Sequence, residues 1–221
     1  MNAARIRESF IVLAAIAVLA CAVAAAPLKV ERTGRLAAAG ASDILRQAVE
    51  DKGYRVTLDD GWVAEFWFAK ELKTAKKEAS GALYPELSNG GFVGVVNFPQ
   101  GMSDYRGQGL PAGIYTLRYQ TLPQDGNHLG VAPNPDFLLA SPAADDSRPA
   151  EIYVYKKLIA LSAKSTGTNH PAVIALESAG EPGTVAKDER GDVVFTVTVA
   201  VSSAGGASEK IGIVLKGTAT Q

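Results

Sequence analysis

The residues best suited to chemistry lie in one polar stretch of the sequence, from Pro123 to Asp136. Within it, Asp125, His128 and Asp136 could bind a divalent metal, because carboxylate oxygens and a neutral imidazole nitrogen both offer lone pairs. A metal bound there would make the chain a metal-binding protein or a metal-dependent hydrolase. The Asp-Gly-Asn sequence in the same stretch is also typical of an ordinary turn, whose polar side chains bond to their own backbone. Both interpretations of this loop are open at the level of sequence.

Other catalytic signals are missing from the sequence. It contains no G-x-S-x-G turn, no H-E-x-x-H helix and no phosphate-binding glycine loop. His170 could meet His128 across one end of the fold, but nothing in their spacing links them, and His170 is more simply a structural residue before Pro171. The adjacent carboxylates of Asp145 and Asp146 are better explained by capping of a following helix than by acid–base catalysis. We therefore predict no catalytic residues.

Aromatic side chains could form a stacking surface for sugars if their rings faced solvent; the candidates are Trp62, Trp67, Tyr84 and Tyr105. Trp62 alternates with Phe66 and Phe68, which predicts a place in the core. Tyr84 and Tyr105 lie in expected loops and are the better candidates. Together with the polar stretch, this gives the candidate ligand-binding residues Tyr105, Asp125, Asn127, His128 and Asp136.

The elements that must position these residues are mostly strands. Residues 54–58 and 62–69 have a period of two and are joined by Asp59-Asp60-Gly61, which is a strong hairpin signal. Residues 113–122 alternate as well, and we expect Thr116, Arg118 and Gln120 on a solvated face. Further strands are predicted at residues 92–98, 137–140, 172–176, 192–201 and 211–217.

Two segments favour helices. Ser42 to Lys52 has helical spacing, with Ser42 as the N-cap and Gly53 as the residue that ends the helix. Residues 151–164 also fit a helix, since a cap candidate and a proline precede them, although their first residues would suit a strand. The predicted fold is therefore mainly β: an antiparallel β-sandwich with one or two short helices, after an N-terminal signal segment.

The N-terminus has the pattern of an export signal. Arg5 and Arg7 precede an apolar run at residues 10–20, and small residues follow to Ala26. Cys21, the only cysteine, ends a lipobox-like V-L-A-C sequence and could carry lipid, whereas residues 22–24 offer an ordinary A-x-A cleavage site. An uncut anchor is the third alternative. We expect an exported protein, either periplasmic, anchored to the outer membrane or secreted, with membrane contact only through this segment.

Composition limits the remaining possibilities. Residues 27–41 have no clear period and are expected to link the signal at residues 1–26 to a single domain at residues 42–221. With one cysteine, the chain forms no internal disulfide, so its core must be held by packing. The net charge of −1 and the lack of a basic stripe argue against nucleic-acid binding.

The middle of the chain resembles a family of uncharacterised bacterial secreted proteins. The matching motifs are P-A-G-x-Y-x-L at residues 111–117, D-G-N-H at residues 125–128 and D-F-L-L at residues 136–139. The resemblance implies an exported β-sandwich, and any site would be sought first at Asp125, Asn127 and His128. The functional hypothesis is a non-catalytic cell-envelope protein that binds a glycan or another envelope protein, and the alternative is the metal site described above.

Overall fold

Alternating strands build most of the molecule. The computed structural model describes residues 27–75, 81–123, 132–202 and 206–217. Ten of its strands form one antiparallel sheet in the order β1-β2-β3-β4-β7-β8-β9-β12-β11-β10, and β5 and β6 form a separate pair. The strands are β1 (Lys29–Thr33), β2 (Gly53–Thr57), β3 (Val63–Phe68), β4 (Phe92–Phe98), β5 (Met102–Ser103), β6 (Gly109–Leu110), β7 (Gly113–Thr121), β8 (Asp136–Pro142), β9 (Ala172–Glu177), β10 (Thr184–Lys187), β11 (Val193–Ala200) and β12 (Ser208–Lys216).

The sheet curls until its two ends nearly meet. Phe195 of β11 packs against Tyr54, Phe66 and Phe68 of β2 and β3, with ring centroids 5.4, 5.4 and 6.3 Å apart. The two halves of the sheet thus face each other across a core of buried apolar side chains. The edge strands β1 and β10 lie beside each other, and we call the gap between them the seam. The predicted mainly β, antiparallel fold with two short helices is confirmed.

The two helices begin and end differently from the sequence prediction. Helix α1 (Asp43–Ala48) has the expected N-cap, since the Ser42 hydroxyl accepts a hydrogen bond from the Leu45 amide at 3.3 Å. It ends well before Gly53, which instead begins β2. Helix α2 (Tyr155–Thr166) starts later than predicted and ends at Gly167, whose φ of 66° is the left-handed conformation that stops a helix. Asp146 does not cap this helix.

Residues 29–33, expected to be part of a linker, form the edge strand β1 instead. Every residue of β1 has a partner in β2, from Lys29 opposite Thr57 to Thr33 opposite Gly53. The sequence of β1 did not predict a strand, because the side chains of this exposed edge strand are mostly charged and do not alternate with apolar ones. Strand β10 was missed because it has only four residues.

The outer face of the sheet is covered where we expected solvent. Helix α2 packs against β8 and β9, and the Ser162 and Ser165 hydroxyls both donate to the Ala140 carbonyl, at 2.7 and 2.9 Å. The segment before α2 covers β7: Arg118, predicted to be solvated, bonds to Asp146, Arg148 and Glu151 and is fully buried. Thr116 is fully buried as well, and Gln120 is nearly so. The prediction of a solvated face on β7 is therefore wrong.

Neither α1 nor α2, the helices of the described residues, has the length and apolar character that crossing a lipid bilayer would require. The predicted export signal and Cys21 lie outside the described residues.

Candidate functional site

A groove of about 800 Å³ opens at one end of the curled sheet. It lies between the β2–β3 turn, the chain from β4 to β6, the β10–β11 turn and the end of β12. We call it the end groove. Its volume lies in the range of small-molecule sites, and the ends of curled or closed sheets are common places for them.

The floor of the end groove is apolar. Leu58, Leu110, Val193 and Leu215 are buried there, and Trp62 and Met102 are half-buried. These side chains continue the core of the sheet up to the opening. An apolar group bound in the groove would therefore be removed from water on the side of the floor.

The indole of Trp62 forms a fixed wall of the end groove. Its Nε1–H donates to the Gly101 carbonyl at 2.7 Å, and its ring packs on Phe98 at a centroid distance of 5.7 Å and an angle of 30°. The hydrogen bond and the ring contact together hold the side chain in one orientation. Trp62, predicted as a core residue, thus has one side in the core and another bordering the groove.

Charged residues form the rim of the groove, and they bridge the seam. Lys187 at the end of β10 pairs with Asp59 at 2.8 Å, and Lys216 at the end of β12 pairs with Asp60 at 2.7 Å. We call these the rim pairs. The aspartates belong to the β2–β3 turn, so each pair joins strands near opposite ends of the sheet. Hydrogen bonds from the two lysines lower the pKa values of Asp59 and Asp60.

A second charged cluster borders the same side of the groove as the lysines. Arg190 contacts Glu177 at 2.6 Å, Asp188 at 3.3 Å and Asp192 at 3.5 Å, so its charge is already shared among carboxylates. The Tyr105 hydroxyl lies 3.3 Å from Asp192 Oδ2. Burial, followed by the charge of Asp188, raises the pKa of Asp192.

The structure places Asp136, the one residue of the predicted metal set that it describes, in a structural role. Its Oδ1 accepts from the Leu83 amide at 3.1 Å, and its Oδ2 accepts from the Tyr84 amide at 2.9 Å and the Tyr119 hydroxyl at 3.1 Å. Both oxygens are thus engaged, and the side chain is fully buried. Asp125, Asn127 and His128 lie outside the described residues.

No group of three or more His, Cys, Asp or Glu side chains that could hold a metal occurs within the described part of the chain. His170 is exposed there, and its amide and carbonyl interact with Thr168. Since Asp125 and His128 lie outside the described residues, the predicted metal set as a whole stays a prediction.

The two loop tyrosines do not form an exposed stacking surface. Tyr105 is 8 % exposed and packs with Ala175, Val194 and Val214 on the outer face of the sheet. Tyr84 is 6 % exposed, and its hydroxyl donates to the Glu177 carbonyl at 2.7 Å while accepting from the Gly212 amide at 2.8 Å. The interpretation of these rings as a sugar platform is corrected by their burial.

The residues that line the end groove were not predicted as one site, and Trp62 among them was assigned to the core. They come from turns and strand ends more than 150 positions apart, from Leu58 to Gly217, so no local spacing joins them. The one available signal was the hairpin turn Asp59-Asp60-Gly61, whose place at a sheet end could be predicted.

Fold and site together define the class: a nearly closed antiparallel sheet with a ligand-sized groove at one end. At a significant level the chain matches no protein-family model, no curated protein and no solved structure.

Proposed function

We propose that this protein acts outside the cytoplasm as a non-catalytic binding protein whose ligand occupies the end groove. The observation that carries the proposal is the groove itself, a space of about 800 Å³ with an apolar floor that opens at the end of the sheet. Export is supported by the positive, apolar and small-residue order of the first 26 residues.

The floor suits a ligand with an apolar part. Burial of apolar surface contributes about 25 cal/mol per Å², so a modest ligand can gain several kcal/mol from the floor. The fixed Trp62 indole adds a preorganised aromatic contact, which costs little conformational entropy when a ligand binds. A glycan or an envelope protein with an exposed apolar group remains within this proposal.

Binding in the groove is tested with N-phenyl-1-naphthylamine, a neutral probe that fluoresces in apolar surroundings. We expect saturable binding to the purified protein, and about tenfold weaker binding by Met102→Lys, because this change places a charge on the half-buried floor. Val154→Lys is the matched control, since Val154 is 72 % exposed and does not line the groove. Equal probe affinity in both variants, each folded by circular dichroism, would contradict the proposal.

Export is tested by cell fractionation and labelling. We expect the protein outside the cytoplasm. Incorporation of a labelled fatty acid that is lost in Cys21→Ser would select the lipid-anchored form, and its absence would select cleavage or an uncut anchor. Recovery of the chain in the cytosol with residues 1–26 attached would contradict export.

A further inference from the structure

The two sides of the end groove carry opposite charge. Asp59 and Asp60 stand on the β2–β3 turn, and Lys187 and Lys216 stand opposite them at the ends of β10 and β12. Arg190 and Asp192 also border the lysine side, where Arg190 is held by three carboxylates, including that of Asp192. Among the described residues, Lys187 and Lys216 each have one carboxylate partner, the aspartate of their rim pair, whereas Arg190 has three.

The rim pairs are open to water and can be exchanged. The side chains of Lys187 and Lys216 are 54 % and 60 % exposed, and those of Asp59 and Asp60 are 29 % and 46 % exposed. Ion pairs exposed to this degree add little to stability, so their separation costs little. They line the same groove as the apolar floor, so a ligand that fills the groove contacts both.

Resting on the proposed function, we propose that the ligand of the end groove is a zwitterion that carries an apolar group. Its anionic group replaces Asp59 and Asp60 as the partner of Lys187 and Lys216, its cationic group pairs with the two aspartates, and its apolar group contacts the floor beside Trp62.

Charge balance selects this class over singly charged ligands. A zwitterion that enters between the two sides places its anionic group beside the two lysines and its cationic group beside the two aspartates, so each side keeps an opposite charge next to it. An anion that bound the lysines would leave two aspartates unpaired beside it, and a cation that bound the aspartates would leave two lysines unpaired. Because the rim is open to water, each lost pairing costs little, and the loss of two pairings is expected to weaken binding by a modest factor of about tenfold.

The aromatic wall agrees with this assignment. The Trp62 amide donates to Asp60 Oδ1 at 3.0 Å, and both residues line the groove, so a cationic group that pairs with Asp60 binds in the same space that the indole borders. Indole faces attract ammonium groups, and quaternary ones in particular.

The test compares amphiphiles that share one dodecyl chain and differ in head group, used below their micelle concentrations to displace N-phenyl-1-naphthylamine from the full chain at low salt. We expect dodecylphosphocholine to displace the probe at about tenfold lower concentration than dodecyl phosphate or dodecyltrimethylammonium. L-Phenylalanine is run in parallel as a zwitterion without an alkyl chain. Displacement by the phosphocholine alone indicates a lipid-type ligand, and displacement by phenylalanine indicates a small soluble one.

Two variants reverse the expected preference. Lys216→Met leaves Asp60 without its rim partner, so dodecyltrimethylammonium should become the better competitor. Asp60→Asn leaves Lys216 without its partner, so dodecyl phosphate should gain. Lys210→Met is the control, because Lys210 is exposed on the same strand β12 but does not line the groove.

Two different failures can be told apart. If the probe binds but all head groups displace it equally, or if neither variant changes the order, the zwitterion inference is overturned while the binding function stands. If the probe does not bind at all, the proposed function itself fails.

Discussion

The Arg118 guanidinium and the Asp146 carboxylate form a two-point ion pair that is closed off from water. Nε lies 2.7 Å from Oδ2 and Nη2 lies 2.9 Å from Oδ1, and both side chains are 0 % exposed. The other hydrogens of the guanidinium are donated to the carbonyls of Gly90, Arg148 and Glu151. The pair therefore fastens the segment before α2 to the outer face of β7.

We expect Asp146→Asn to lower the free energy of unfolding by about 3–5 kcal/mol, because it leaves the buried Arg118 charge without compensation. Guanidinium chloride unfolding measures this. Arg118→Met combined with Asp146→Leu should recover part of the loss, since it removes both charges. Asp51→Asn is the control, because Asp51 pairs with Arg35 on the surface and should change stability by less than about 1 kcal/mol. An equal loss in both single variants would refute the assigned role of the buried pair.

The same pair predicts a dependence of stability on pH. Burial alone would raise the pKa of Asp146, but the hydrogen bonds and the charge of Arg118 outweigh it and lower the pKa below its ordinary value. The stabilisation is then fully present above the unfolded pKa of about 4 and is lost as the pH falls through the lower folded value. We expect Asp146→Asn to reduce the acid-side decline in the free energy of unfolding. A decline identical to that of the wild type would argue against this contribution.

Loss of the Tyr84 hydroxyl should weaken the sheet locally. Its hydroxyl bridges the Glu177 carbonyl and the Gly212 amide where β9 and β12 pair over only two residue positions. Tyr84→Phe leaves that buried amide without its partner, which should cost about 1–3 kcal/mol of unfolding free energy. Burial raises the pKa of Tyr84 to about 12, so the bridge should persist at neutral pH.

The measurement for Tyr84→Phe is hydrogen exchange at Gly212, which we expect to become faster. Tyr54→Phe is the matched control, because Tyr54 is half-buried and engages its neighbours through its ring. Unchanged protection of Gly212 would count against the bridge.

Substitution of Asp136 distinguishes its structural role from the metal-binding alternative. We expect Asp136→Asn to lower the free energy of unfolding by about 1–3 kcal/mol, since two amides and the Tyr119 hydroxyl share its oxygens. We expect its metal content, measured by elemental analysis, to equal that of the wild type. A stoichiometric metal that is lost in Asp136→Asn, Asp125→Asn and His128→Ala alike would instead favour the metal-binding protein.

Local patterns predicted the strands that alternate, the strand that is apolar throughout and the turn whose residues are distinctive. The Asp59-Asp60-Gly61 hairpin and the apolar strand β4 both appear as expected, because each depends on neighbours in the sequence. Arg118 could not be placed, since its burial depends on Asp146 and on a segment that returns 28 residues later to cover it. Paired with Asp146, Arg118 is as completely buried as the core leucines, although the alternation around it predicts a solvated face.

The site was harder to predict than the fold for the same reason. The rim pairs join positions 59 and 187, and 60 and 216, which no periodicity links. Trp62 was assigned to the core from its alternation with Phe66, and the structure shows that alternation. The strand starts at the opening of the groove, however, so Trp62 is only partly buried.

The contact between β1 and β10 bears on how folded copies of the molecule could associate through their strand edges. A free strand edge is a template on which another molecule can add its own backbone, and growth from such edges leads to fibres. Here each edge shields the other, and Lys29, Glu31 and Arg32 place charge along β1. A second copy that added its backbone at either edge would meet the other edge strand and these charges, so we expect the folded molecule to resist growth from its own edges.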